Sequence, residues 1–184
     1  MTSERRTVDP DLPTQPRMAH YVLRVSDLQQ SIDWYSLVLG MQTVHRNPMI
    51  CFMSYDDEHH RMALVQSGVS ETAPQGAPGL DHVAFTLTSL EELLATFKRL
   101  KAAGVVPVWP INHGLTTSLY YADPDGHRVE FQVENLATAE ALQVYMHSDA
   151  FAENPIGVEF DPDKLLARYE QGDPLEELLK QGSA

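Results

Sequence analysis

Two stretches of this chain repeat each other, and the repetition restricts its fold more than any other feature. His20-Tyr21-Val22-Leu23-Arg24-Val25-Ser26-Asp27-Leu28 aligns with His82-Val83-Ala84-Phe85-Thr86-Leu87-Thr88-Ser89-Leu90 at an offset of 62. Further on, His60-Arg61-Met62-Ala63-Leu64 aligns with His127-Arg128-Val129-Glu130-Phe131 at an offset of 67, and Gly40 matches Gly104 after a two-residue slip. A tandem duplication explains all three matches. Each copy reads as strand, helix and three strands. In the first, a strand over 18–25 leads to a helix that Asp27 or Ser26 caps, with Leu28, Ile32, Tyr35 and Leu39 on one face, ending at Gly40. Strands at about 41–46, 49–55 and 61–66 follow. In the second, Leu90, Leu93, Leu94, Phe97 and Leu100 line the helix. Thr117–Ala122 and Arg128–Val133 flank the turn Asp123-Pro124-Asp125-Gly126 as a hairpin.

The expected organisation is α+β: an arm over 1–17, a domain over 18–133 made of βαβββ repeats 18–67 and 80–133, and a helical extension over 134–184. At 184 residues and 43% hydrophobic, there is enough chain for one sizeable core and some appended structure. Residues 136–146, 164–169 and 175–179 read as helices. Between them Phe151–Phe160 mixes turn and apolar residues and suits an ordered cover over a pocket.

A formal charge of −13 argues against nucleic acid and anionic membranes as partners, because both select a basic face. No apolar run is long enough to cross a bilayer. A single cysteine, Cys51, excludes an internal disulfide framework and a thiolate cluster, which suits the cytoplasm. Any metal must use His, Asp or Glu.

Glu130 is the odd residue of its strand, a carboxylate between Val129 and Phe131 that is costly to bury without a cation or strong donors. Paired βαβββ units commonly enclose a cleft in which equivalent positions face each other. On that expectation His20 faces His82, and Glu130 faces Ala63. Two histidines and a carboxylate with the fourth corner empty match the donor set of non-haem Fe(II) oxygenases. Taken singly, a histidine at a strand start is more often a packed or surface residue, and a strand carboxylate is more often solvated. Their coincidence at equivalent repeat positions favours the metal site. His45, His127 and His147 have no partner in the repeat and read as surface; Trp109 could line a pocket or fill the core.

The Tyr120…Asp123-Pro124-x-Gly126…Glu130 pattern, within a stretch from about Met18 to Val133, resembles the vicinal oxygen chelate (glyoxalase/bleomycin resistance/dioxygenase) superfamily. Within it the chain is similar to one-domain type I extradiol dioxygenases, which cleave catechol-type aromatic vicinal diols with O2. The resemblance implies Fe(II), or Mn(II) as in some relatives, on His20, His82 and Glu130. It implies His60 as the acid–base group, with His113, of the pair His113-Gly114, and Tyr120 stabilising charge around the metal. Three bland readings stand beside it, one of them that His113 is a loop histidine. His59-His60 could be a solvated turn, since alternation from Ala63 puts His60 on the wrong face unless the strand starts later. Tyr120 could be a packing aromatic, with Tyr121 pointing to the opposite face. Functional alternatives are a non-oxidative glyoxalase or epimerase, which would want a fourth ligand where Ala63 stands, and a metal-free binding module. A homo-oligomer, with a dimer favoured, is expected to cover part of the apolar tail.

Overall fold

The computed structural model describes residues 16–69 and 77–184. All but the last two residues of the expected arm, and most of the connector between repeats, lie outside the described residues. The chain divides into two compact units, Met1–Glu71 and Thr72–Ala184. In the first, β1 (Tyr21–Val25) leads into α1 (Leu28–Leu39), then β2 (Gln42–Arg46), β3 (Ile50–Ser54) and β4 (Met62–Gln66). The sheet order is β1-β4-β3-β2, with β1 parallel to β4 and the remaining pairs antiparallel. The second unit repeats this with β5 (His82–Thr86), α2 (Leu90–Ala102), β6 (Trp109–Asn112), β7 (Thr116–Ala122) and β8 (Arg128–Glu134), ordered β5-β8-β7-β6.

Register carries the duplication to single residues. Val22 lies beside Ala63 in the first sheet, and Ala84 lies beside Glu130 in the second. These pairs are related by the two different offsets, 62 and 67, read from the sequence. A one-residue error in either offset would turn one strand's side chains to the other face.

The helices begin and end where local chemistry directs. The Asp27 carboxylate accepts from the Gln30 amide at 2.9 Å and caps α1. For α2 the Ser89 hydroxyl accepts from the Glu92 amide at 3.2 Å while the Glu92 carboxylate accepts from the Thr88 amide at 2.8 Å, a reciprocal cap. α1 stops at Gly40, whose φ of 68° suits a residue without a Cβ. α2 buries all five expected residues, each contributing about 1.5–3 kcal/mol of apolar burial. α1 buries Leu28, Ile32, Tyr35 and Val38. The expected Leu39 sits half-buried as the last residue of the helix, next to the Gly40 turn, and Val38 is buried beside it. Beneath the helices lie buried rows such as Leu23, Leu64 and Cys51 in one sheet and Phe131 and Leu119 in the other. The opposite sheet faces carry the candidate chemistry.

The extension comprises α3 (Ala139–Met146), α4 (Asp149–Glu153), β9 (Val158–Glu159), α5 (Pro162–Glu170) and α6 (Leu175–Leu178). Residues 151–160 are more structured than the expected loop. Phe151 belongs to α4, and β9 pairs antiparallel with β6, adding a fifth strand to the second sheet. A short paired strand at this edge covers backbone groups that would otherwise be open to other chains. Leu165 and Leu178 are buried, α5 packs against α2, and Lys98–Glu170 (2.8 Å) and Lys101–Asp163 (2.5 Å) bridge the same helices. Val144 and Leu175 remain exposed, so the tail buries only part of its apolar surface.

Candidate metal centre and its surroundings

Directly paired residues on neighbouring strands share a face, as do residues two apart on one strand. In the second unit the pairs Ala84–Glu130, Tyr120–Glu130 and Trp109–Tyr120 therefore make one row, and His82 shares its face. Glu130 is 3% exposed and Tyr120 is 3% exposed. His82 Nε2 stands 3.1 Å from a Glu130 carboxylate oxygen, and the His82 and Tyr120 rings meet edge-on at 5.1 Å. Trp109 packs on Tyr120 at 4.9 Å.

The protons around His82 decide what this pair can hold. Its Nδ1 lies 2.7 Å from Asp81 Oδ2, and the Asp81 carboxyl is held below its ordinary pKa by that hydrogen bond and by Arg128. An ionised carboxylate only accepts, so Nδ1 carries the proton. In a neutral imidazole the bare Nε2 then faces a carboxylate oxygen across 3.1 Å. Two lone pairs so placed require a proton or a metal ion between them. A histidine that donates one ring N–H to a carboxylate and offers the other nitrogen is the usual arrangement of a metal ligand. Glu130 has no ion pair with Lys or Arg among the described residues; Arg128 reaches Asp81 instead. The residues present therefore fit a divalent cation.

Tyr120 is kept a neutral phenol. Burial pushes its pKa well above the ordinary value, and the neighbouring Glu130 carboxylate, which hydrogen-bonds its hydroxyl, adds to the shift. The same hydroxyl lies 3.2 Å from His113 Nε2, and His113 Nδ1 lies 2.5 Å from the Ile156 carbonyl oxygen. Tyr121 points the other way and is fully buried against Phe131. Trp109 proves to line the Glu130 face, half-buried, with its indole N–H donated to Glu159 at 2.9 Å.

In the first unit the corresponding row is Val22, Ala63, Phe52 and His45. Ala63 is 2% exposed. His60 stacks on Phe52 with centroids 4.6 Å apart and planes at 20°, and its ring is 4.2 Å from that of His20. The alternation objection to His60 does not apply, because β4 begins at Met62 and His60 precedes it. Burial, and then the neighbouring His20 and His59, lower the His60 pKa, which favours a neutral imidazole.

The structure thus groups His20 with His60 in the first unit, and His82, Glu130, Tyr120 and His113 in the second. Sequence reasoning missed Asp81, Phe52 and the Ile156 carbonyl. An acid next to a candidate ligand histidine was a usable signal for Asp81, and counting across the hairpin from Ala63 would have found Phe52. It also treated His127 as an unpartnered surface residue, whereas its Nδ1 is 3.0 Å from the buried Asp123 carboxylate. Asp123, Asp125 and His127 cluster closely enough to suggest a metal. However, one Asp123 oxygen accepts the amides of Asp125 (2.9 Å) and His127 (2.8 Å) and the other accepts from the His127 ring, so the cluster is the hairpin turn itself.

The Glyoxalase/Bleomycin resistance protein/Dioxygenase superfamily matches residues 17–131. The chain belongs to this superfamily. Within it, the chain is 43% identical to biphenyl-2,3-diol 1,2-dioxygenase 3 of Rhodococcus globerulus, over 89% of this chain and 87% of that protein. It is 40% identical to biphenyl-2,3-diol 1,2-dioxygenase 2 of the same organism, over 89% and 86%. A lactoylglutathione lyase of Neisseria meningitidis is 30% identical, over 62% of this chain and 88% of the lyase. Among solved structures, a glyoxylase/bleomycin resistance protein/dioxygenase domain from Frankia sp. EAN1pec shares the superfamily fold with a TM-score of 0.56 at 21% identity, over 66% of this chain and 93% of that domain. The similarity to the two dioxygenases spans more of this chain, 89%, than the similarity to the lyase, 62%.

Proposed function

We propose that this protein is an extradiol dioxygenase that opens a catechol-type aromatic vicinal diol with O2, breaking the ring carbon–carbon bond beside the diol and placing both oxygen atoms in the ring-opened product. The observation that carries this reading is the near full-length similarity to two biphenyl-2,3-diol 1,2-dioxygenases. The proposed metal ligands are His82 and Glu130 together with His20, and the proposed metal is Fe(II), with Mn(II) as the alternative the same donors accept. Held by these residues, such an ion would supply Lewis-acid and redox chemistry toward the diol and O2.

The remaining groups act through protons and packing. A diol binding as a monoanion must lose one proton before ring opening and regain one after it. His60, neutral and held by stacking on Phe52, suits that exchange. Tyr120 stays protonated and can donate a hydrogen bond to developing negative charge. Trp109 offers an aromatic wall that suits a flat substrate and helps exclude water. The methyl group of Ala63 in place of a fourth carboxylate favours oxygen chemistry over a lyase reaction.

No helix among the described residues is long and apolar enough to cross a membrane. A cytoplasmic homodimer is the assembly we propose, with exposed Val144 and Leu175 among the apolar side chains it could cover. Oxygen uptake by the Fe(II)-loaded protein tests the reaction. One O2 consumed per molecule of biphenyl-2,3-diol or simple catechol is expected, and diol turnover without oxygen uptake would reject it.

A further inference from the structure

We propose that the tail segment Asn154–Glu159 is a positioning element of the site, whose Ile156 carbonyl holds His113 in the tautomer protonated at Nδ1. The inference builds on the dioxygenase reading but concerns the ring proton of His113, which can be observed without any turnover. A carbonyl oxygen only accepts, so the 2.5 Å contact between Ile156 O and His113 Nδ1 requires the proton on Nδ1. A neutral His113 then has a bare Nε2, 3.2 Å from the Tyr120 hydroxyl. Nε2 in that state accepts from Tyr120 and competes with Glu130 for the single phenolic proton. The opposite tautomer would turn Nε2 into a donor and remove the competition.

Several independent contacts keep the carbonyl in place. Asn154 clasps the turn from both sides, donating to the Gly157 carbonyl at 2.8 Å and accepting from the Gly157 amide at 3.0 Å. Gly157 itself has φ of 114°, which L side chains rarely adopt, and a Cβ there would meet the Asn112 carbonyl oxygen and come within 2.8 Å of His113 Cα. The next two residues form β9, paired to β6 through Ile111–Glu159 and Asn112–Val158. Glu159 also accepts the Trp109 indole N–H. The segment therefore grips the strand that leads into His113 and the aromatic beside it. A segment serving only to shield a sheet edge would need the β9 pairing and nothing at His113.

Histidine nitrogen resonances of the uniformly labelled full chain, assigned through His113→Asn, report the tautomer directly. The wild type should show Nδ1 protonated and Nε2 bare. Asn154→Ala and Gly157→Ala should each give a mixture of tautomers, and Asn154→Asp, which keeps the acceptor for the Gly157 amide but turns an oxygen toward the Gly157 carbonyl, should give a smaller share of the second form. In the Fe(II)-loaded enzyme the Ala variants should lose roughly tenfold or more in kcat with little change in KM, and Asn154→Asp should lose less than Asn154→Ala. A wild-type His113 protonated at Nε2 would overturn the proposal. So would an unchanged single tautomer in Asn154→Ala and Gly157→Ala, whatever their activity. If Gly157→Ala does not fold, Asn154→Ala decides the question alone. Wild-type protein that shows the expected tautomer but never consumes O2 would reject the dioxygenase reading and leave this one standing.

Discussion

The two units share one backbone plan and differ along one row of side chains. Across the first sheet the row runs Val22, Ala63, Phe52, His45; across the second it runs Ala84, Glu130, Tyr120, Trp109. Position for position, a methyl group stands where the other copy has a buried carboxylate, and a phenyl ring stands where the other has a phenol. The histidine that precedes the row, His20 or His82, is common to both. Duplication supplied two equivalent frames, and divergence at two ladder positions gave one frame a carboxylate and a phenol where the other has a methyl group and a phenyl ring. In the first frame His60, from the turn before β4, sets an imidazole over Phe52, the position that holds Tyr120 in the other copy.

Substitutions that exchange these roles should produce graded effects. The largest is expected from Glu130→Ala, which makes the second row resemble the first: metal content and oxygen uptake should fall to background while circular dichroism persists. Full iron content with full activity in that variant would break the comparison. The reverse change, Ala63→Glu, should suppress ring cleavage by supplying a fourth donor. Without metal it buries an uncompensated carboxylate beside Phe52, costing about 3 kcal/mol of stability, and the loss should be recovered on adding Fe(II). Undiminished cleavage would mean that Ala63 and Glu130 are not functionally equivalent.

His60→Ala should retain iron but lose roughly 10²- to 10⁴-fold in turnover, as removal of a general acid–base group does; near-normal rates across the pH range would remove it from the mechanism. Tyr120→Phe gives the second row the first row's ring. It should cost roughly tenfold or more in kcat, whereas Phe52→Tyr, the reciprocal exchange, should cost much less. Equal losses would mean that ring packing, not the hydroxyl, matters at both positions.

The smallest effect is expected at the turns. In the first unit Asp56 is held by the Arg61 guanidinium at 3.0 and 3.1 Å, and in the second Asp123 is held by His127. The hydrogen bond to Asp123 raises the His127 pKa. Its stabilisation is therefore fully present below the unfolded histidine value of about 6.5 and fades as pH rises through the higher folded value. The Asp56–Arg61 turn should be indifferent over that range, because Arg61 keeps its charge and the Asp56 carboxyl is held below its ordinary pKa. Amide exchange in each turn, corrected for intrinsic pH dependence, would separate them; identical behaviour would mean that the His127 contact contributes nothing.

Much of this contrast was legible in the sequence, for a physical reason. Repeat alignment depends on which residues pair across a sheet, and strand register obeys a period of two, so offsets of 62 and 67 carried His82, Glu130 and Ala63 to the correct ladder positions. Helix periodicity likewise marked all five buried residues of α2. Contacts made by backbone atoms left no such trace. Nothing in the residue type of Ile156 announces that its carbonyl meets His113, and the two-residue strand β9 is too short for any period to show. Phe52 and His60 are brought together by a turn whose path depends on Asp56 and Arg61, and the side-chain pattern alone does not give that path.

The central claim is that the second unit's row supplies the acidic half of an oxygen-activating metal site. Its most direct test is to mix Fe(II)-loaded wild type and Glu130→Ala with biphenyl-2,3-diol under anaerobic conditions, admit air, and follow absorbance and dissolved oxygen together. The wild type should turn yellow with ring-opened product as oxygen is consumed in equal amount, and Glu130→Ala should do neither. Yellow product formed at wild-type rate by Glu130→Ala, or no product from the wild type with iron verifiably bound, would contradict the claim.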